Sequence, residues 1–496
     1  MLILLLLFIP VLFVPLIWLM NDGNAKRIAL LGALVEMCVG FYAFYMFSLH
    51  PDCACFKVDY PWIFSLNARF QFAMDGISAV MVLLTTLMVP FIIQSTLTES
   101  IKRTKAFLSL ILLMQFALVG VFLAKDALLF YFFWELALLP VFLLSLIWGG
   151  PDRKQITFKF FVYTLFGSLF MLLAIIYIWL RTSGGTEGVT QSFNILAFYD
   201  AAQRLSANEQ LFVFLAFYLA FAIKIPIFPF HSWQADTYVN APNQGTMLLS
   251  GLMSKMGTFA LIIWLIPCAP LGWQLAQKYV IIISVVSLLY GAFLAIAQPH
   301  FKRLLAYSSL SHVGLIAAGI FTMNLQGLQG GLYQMFSHGI YVIGLFFIVD
   351  ILFKKVKTDS LFELGGIRNV SKVFAVYFLI ILLGSVAMPF TNGFVGEFLL
   401  LNGLFQYNYI LVALAGLTVI LGAVYMLRAY QRMMHGKTND LTALFGDIEL
   451  NDKILLACFS GLIIFFGLFP DIIFSVSDEP LKALAEHVQQ VILMHK

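Results

Sequence analysis

The chain has 496 residues, 61% hydrophobic and only 11% charged, with a formal net charge of +4. A soluble domain carries roughly a quarter charged residues, so this composition excludes an ordinary water-soluble enzyme. With no basic stripe interleaved with aromatics, it also excludes a nucleic-acid interface. Solid apolar runs of about 20 residues recur along the whole length, long enough to cross a bilayer as helices, whereas a β-barrel would need alternating polar and apolar residues.

The first run, Met1 to Met20, lacks a basic start and a small-residue cleavage site and reads as a retained helix rather than a removed leader. Fourteen spans are predicted, near 1–20, 27–48, 75–95, 106–123, 126–148, 155–180, 209–231, 243–266, 278–298, 302–322, 328–353, 372–401, 407–432 and 453–474. Alternate loops divide the basic residues unequally: nineteen Lys and Arg fall on one side and eight on the other, while Lys224 and Lys255 lie within spans. The positive-inside rule puts the richer side in the cytoplasm and both termini outside. After the last span, "DEPLKALAEHVQQVILMHK" reads as an amphipathic helix lying on the outer surface. The expected fold is thus an all-α polytopic membrane protein. Five cysteines are scattered along the chain, and Cys53 and Cys55 have no nearby Cys or His to complete a metal set.

The seventh span contains "AIKIPIFPFHSWQAD", where Pro226 and Pro229 follow Lys224. The twelfth contains "GSVAMPFTNGFVGEFLL", where Pro389 and Gly393 precede Glu397. These broken spans are five apart and so run in opposite directions. That predicts two inverted five-helix units, residues 106–266 and 278–432, flanked by three helices in 1–97 and by a final span and surface helix in 433–496. Paired breaks in inverted repeats mark a transporter's ion site, because an interrupted helix frees backbone groups that must line protein or water.

Each ionisable residue deep in a span costs roughly 2.5–3.5 kcal/mol to insert and is a functional candidate by default. Glu135 in "YFFWELALLP" and Lys224 lie at comparable depth, and a carboxylate favours a charged lysine while a dry pocket favours a neutral one. Lys255 in "LLSGLMSKMGTFALIIW" has no acidic neighbour in its own helix. His312 in "YSSLSHVGLIAAG" and His338 in "YQMFSHGIYVIG" offer two-nitrogen relays. Glu135, Lys224, Lys255, His312, His338 and Glu397 are expected to form a lateral proton chain at the membrane midplane. His231 and Asp236 should sit at the cytoplasmic edge, and Lys125 with Asp126 should anchor the opposite interface.

The stretches "FFWELALLPVFLL", "AIKIPIFPFHSWQAD", "SGLMSKMGTFAL", "AYSSLSHVG" and "GFVGEF", in this order over most of the chain, resemble the antiporter-like membrane subunits of respiratory complex I. Multisubunit Na⁺/H⁺ (Mrp-type) antiporters and membrane-bound hydrogenases share this pattern in general form. Glutamate at 397, where other large members usually carry lysine, resembles the M-type (chain 4) branch. The resemblance implies that Glu135 pairs with Lys224, Lys255 is the central relay, His312 and His338 connect onward, and Glu397 ends the path. It further implies proton pumping in a prokaryotic inner membrane, driven by electron transfer from NADH to quinone in neighbouring subunits. Flavin, iron–sulfur clusters and quinone would then belong to those partners, with no cofactor in this chain. The alternative reading is a subunit of an Mrp-type antiporter or a membrane-bound hydrogenase. Ala235 and Tyr238 stand where the family usually has Pro and often His.

Overall fold

A computed structural model describes residues 1–182 and 191–495. Thirteen helices in it are long and apolar enough to span a bilayer. The remaining crossing is a broken pair, Lys372–Ser385 and Asn392–Tyr407, so fourteen crossings follow one another in the predicted order. They begin with Leu2–Leu19, Asp22–Leu49, Gly76–Gln94, Thr104–Leu123, Ala127–Trp148, Arg153–Thr182 and Ala207–Lys224. Asn243–Cys268, Pro270–Ile296, Phe301–Phe321 and Leu325–Val356 come next, and Tyr409–Met434 and Leu450–Leu468 follow the broken twelfth. A closing helix, Asp471–Met494, packs against the third and eleventh crossings.

Polar side chains start several of these helices. Asp75 and Ser78 form a capping box ahead of the third crossing, and Ser206 with Glu209 does the same for the seventh. The Asp126 carboxylate accepts from the Leu128 and Leu129 N–H groups at the head of the fifth. One element departs from the all-helical expectation. Lys57–Ile63 and Ala68–Ala73 pair as an antiparallel ribbon, where Val58, Tyr60 and Trp62 alternate with charged or turn-forming residues in the strand period.

The third, eighth, tenth and eleventh crossings are almost wholly enclosed by the rest of the chain, while the thirteenth faces outward over most of its length. The enclosed helices carry Lys255, His312 and His338. A charge there meets protein, not lipid.

Both predicted breaks are present, and their freed backbone groups find partners inside the protein. The seventh helix stops at Lys224, short of the predicted 231, because Pro226 and Pro229 supply no N–H and clash with a continuing helix. The Trp233 indole donates to the Ile223 carbonyl at 2.9 Å, and the Phe228 N–H reaches the Ser287 hydroxyl at 3.1 Å. A short helix, Gln234–Asn240, resumes after the gap. In the twelfth crossing, Ala387 and Phe390 adopt φ of 53° and 73°, left-handed conformations that a non-glycine residue adopts only under constraint. Gly393 lies against the Gly384 carbonyl so closely that a Cβ would sit 2.1 Å from its oxygen. The eighth crossing carries a feature with no proline signal. Two π turns, Leu249–Met253 and Leu261–Leu265, flank the α-helical stretch Ser254–Ala260 that holds Lys255.

Candidate functional site

Lys255 is buried, and its ammonium meets three acceptors. The Ser250 carbonyl lies at 2.6 Å, the Ser254 hydroxyl at 3.2 Å and His338 Nδ1 at 2.6 Å. An ammonium has three N–H bonds, so this shell satisfies it without a carboxylate. The shell depends on the π turn, since local widening of a helix turns a carbonyl away from its usual α-helical partner. With Nδ1 accepting, the His338 proton sits on Nε2; with a neutral amine, the same short contact can run the other way.

His338 and His312 face each other across the tenth and eleventh crossings, with ring centroids 5.7 Å apart and Tyr341 at 5.2 Å and 5.7 Å from the two rings. His312 Nδ1 lies 3.0 Å from Glu397 Oε1. Gln334 joins this end, with its amide 3.2 Å from the Tyr341 hydroxyl and 3.5 Å from the Glu397 carboxylate. Four of the six residues singled out in the sequence therefore form one contiguous buried group: Lys255, His338, His312 and Glu397.

The other two are arranged differently. Lys224 is buried with its ammonium 5.3 Å from the centre of the Trp134 ring, a cation–π contact worth up to about 2 kcal/mol when desolvated. Consecutive helical residues point roughly 100° apart, so Trp134, which Lys224 contacts, and Glu135 leave the fifth crossing in different directions. Electrostatic influence between Lys224 and Glu135 remains. Among the described residues, however, no ion pair within 4.0 Å and no hydrogen bond joins Lys224 to Glu135 or to Lys255. Glu135 is half-buried beside Tyr131 and Ser168 and opens onto an apolar groove of about 510 Å³ walled by Trp62, Phe132 and Phe161.

The flanking residues are held by local partners. Asp236 pairs with Arg303 at 3.1 Å and Lys159 at 3.9 Å, and His231 packs against Phe228 and Tyr290. Lys125 pairs with Asp75. Burial pushes the Asp75 carboxyl up, but the Lys125 charge and the Ser78 hydrogen bonds outweigh it and hold the group below its usual range. Cys53 and Cys55 are disulfide-bonded, and no group of three metal-ligating side chains occurs among the described residues.

Sequence reasoning passed over several polar residues beside or apart from this row. Tyr341, Gln334 and Ser250 are neutral, and a single neutral polar residue in a membrane helix gives no strong signal. Glu36 did carry one, as a carboxyl inside an apolar run. It is fully buried in the second crossing, and neither oxygen reaches a hydrogen-bond donor among the described residues.

A membrane bundle with two interrupted helices and a buried Lys–His–His–Glu series has the architecture of an antiporter-like membrane subunit. A family described as NADH:quinone oxidoreductase/Mrp antiporter, transmembrane, matches residues 124–422, and the chain belongs to that family. It is 35% identical over 477 residues to NADH-quinone oxidoreductase subunit M of Rickettsia prowazekii, covering 95% of this chain and 96% of the relative. Its fold superimposes with a TM-score of 0.90 on a chain of respiratory complex I from Thermus thermophilus, at 31% identity over 98% of this chain and all of that one. A chain of the Mrp complex from Dietzia shares the fold at a TM-score of 0.81, with 18% identity, 99% of this chain and 98% of that chain being covered. The M-type resemblance read from Glu397 is thus matched by the relatives, and this is an antiporter-like membrane subunit of the complex I type.

Proposed function

We propose that this chain moves protons along the membrane midplane through Lys255, His338, His312 and Glu397, with Glu135 and Lys224 controlling one end. The observation that carries the reading is a pair of short contacts, Lys255 Nζ to His338 Nδ1 at 2.6 Å and His312 Nδ1 to Glu397 at 3.0 Å, with the two imidazole rings packed 5.7 Å apart between them. A histidine can take a proton on one ring nitrogen and release another from the opposite one. His338 accepts from Lys255 at Nδ1 and donates from Nε2, and His312 passes a proton to Glu397 through Nδ1. The charge on Lys224 sets how readily Lys255 holds its own, because two ammonium groups in one low-dielectric bundle disfavour each other.

On this reading the interrupted crossings belong to two inverted five-helix units, 106–266 and 278–432, and both termini lie outside a prokaryotic inner membrane. Complex I relatives support redox chemistry in neighbouring subunits as the driver, with flavin, iron–sulfur clusters and quinone held there. The Mrp-like fold supports a second reading, cation/proton exchange without a redox partner. Purification separates them. The first requires the chain to come out with flavin and iron–sulfur polypeptides and to pump on NADH addition; recovery with antiporter subunits alone overturns it. Within an assembled complex, Lys255→Ala must abolish NADH-driven acidification of inverted vesicles. Retained pumping overturns the midplane path.

A further inference from the structure

On the face that carries most of the lysines and arginines, a pocket of about 640 Å³ opens beside the loop between the third and fourth crossings. Asp22, Lys26, Arg27, Glu99 and Thr104 are among its walls. The loop is pinned by Lys26, whose ammonium donates to the Thr96 and Leu97 carbonyls at 2.9 Å and 3.3 Å and to that of Glu99. Glu99 lines this pocket, yet its carboxylate also reaches into the protein, 3.1 Å from the Lys354 ammonium and 3.5 Å from the Gln244 amide.

Behind Glu99 the polar contacts continue. Lys354 pairs with Asp350 at 2.8 Å, and Asp350 accepts from the Asn243 amide at 2.8 Å. Asn243 begins the eighth crossing. Thr246, Ser250 and Ser254 follow at steps of three and four residues, which places them in one stripe along the helix. All three are buried. Each hydroxyl donates to a main-chain carbonyl: Thr246 to Tyr238 at 2.7 Å, Ser250 to Thr246 at 2.8 Å and Ser254 to Ser250 at 2.9 Å. The last of them touches Lys255 at 3.2 Å. From Asn243 to Ser254 the stripe climbs ~16 Å, eleven steps at the helical rise.

We infer that Glu99 is the proton-uptake group of this subunit, loaded from the pocket; Lys354 and Asp350 set its charge, and Asn243, Thr246, Ser250 and Ser254 line the way along which water molecules carry the proton on to Lys255. The inference rests on the midplane path proposed above and adds where its protons come from. Ion pairs that only fastened helix ends together would need no polar stripe beyond them, in a helix otherwise enclosed by apolar side chains. The acid strength of Glu99 also suits the task. Burial and then the neighbouring Asp350 charge push its carboxyl up to about 7, against the pull of Lys354, and a group that both takes and gives a proton near the working pH is the effective relay. The charged groups facing it are Lys26 from the second crossing and Asp350 and Lys354 from the eleventh, with Asp452 of the fourteenth acting on Lys354.

The test uses the assembled complex in inverted membrane vesicles, with NADH-driven pumping and quinone reduction followed from pH 6 to pH 8. Glu99→Gln should lower the protons moved per NADH severalfold and flatten the pH profile around 7, and Glu99→Asp should restore both in part. Asn243→Leu, which interrupts the stripe without removing a charge, should give the same pumping loss and serves if the Gln variant assembles poorly. A wild-type pH profile and yield in either Glu99→Gln or Asn243→Leu, alongside a Lys255→Ala variant that does not pump, overturns the uptake route and leaves the midplane path standing. Wild-type pumping in Lys255→Ala overturns both.

Discussion

Between Lys255 and Glu397 the buried ionisable groups touch one another, and between Glu135 and Lys255 they do not. The first region lies on enclosed helices, the eighth, tenth and eleventh, with Glu397 just past the break of the twelfth. Two short contacts, joined by the packing of His338 against His312, hold its members together. In the second region Lys224 ends an interrupted helix and rests on Trp134, while Glu135 opens toward an apolar groove on the outside of the bundle. A carboxylate so placed in hydrocarbon is costly unless something covers it. The difference teaches that the row is not one uniform wire. On the proposed reading its contiguous part is the relay, and its open part is where charge is set.

The comparison breaks first at Lys255, where both regions meet. Replacing Lys255 by Ala should lower pumping by about 10²-fold, the lower end of what a positioned proton-transfer group contributes. Assembly should be preserved, because the side chain is satisfied mainly by its own helix and by His338. Dye quenching in vesicles measures the loss, and a pumping rate within twofold of wild type would contradict the relay.

Geometry at the breaks should give the next largest effect. A methyl group at Gly393 would meet the Gly384 carbonyl at 2.1 Å, and overpacking of this kind costs roughly 1–3 kcal/mol. Gly393→Ala should therefore reduce the amount of assembled complex and lower its thermal stability in detergent. Gly416→Ala, at a position with nothing within 4 Å of the added carbon, should change neither.

Double-mutant cycles sharpen the contrast itself. His312→Ala and Glu397→Gln remove two ends of one 3.0 Å contact and should show a coupling energy of about 0.5–3 kcal/mol in pumping rate, as contacting residues do. Glu135→Gln and Lys224→Met should couple by less than that, because no direct contact joins them. Equal coupling in the two cycles would mean that Glu135 and Lys224 close up during turnover.

How much of this was legible in the sequence follows from contrast with the surroundings. Lys224, Lys255 and Glu397 stand out because a charge in an apolar run is rare, and the breaks show because proline cannot continue a helix. That His338 would meet Lys255 and His312 would meet Glu397 was not legible as contact, since it depends on how separate helices cross. The π turns around Lys255 have no proline or glycine signature of their own. Glu99 was hidden for the opposite reason: a carboxylate in a basic loop reads as solvated surface, and only the folded chain puts Gln244 and Lys354 against it. Tyr60 and Trp62 alternate as strand residues do, yet seven residues between two long spans read as a loop.

The smallest expected effect lies at the head of the third crossing, where Asp75 pairs with Lys125 away from the row. The Asp75 side chain is 33% exposed, so the pair contributes at most about 1 kcal/mol, the usual range for solvent-touched ion pairs. Its folded carboxyl is held below the ordinary value of 3.8. The contribution is therefore fully present above that pH and is lost as pH falls through the lower folded value. Asp75→Asn should shift the thermal midpoint of the purified complex slightly at pH 7. The shift should shrink below pH 3.8, where wild type loses the same interaction, while protons pumped per NADH at pH 7 stay unchanged. A pumping defect in Asp75→Asn would extend the functional row to this end of the bundle and would mean that the Asp75–Lys125 pair does more than fasten the third and fifth crossings.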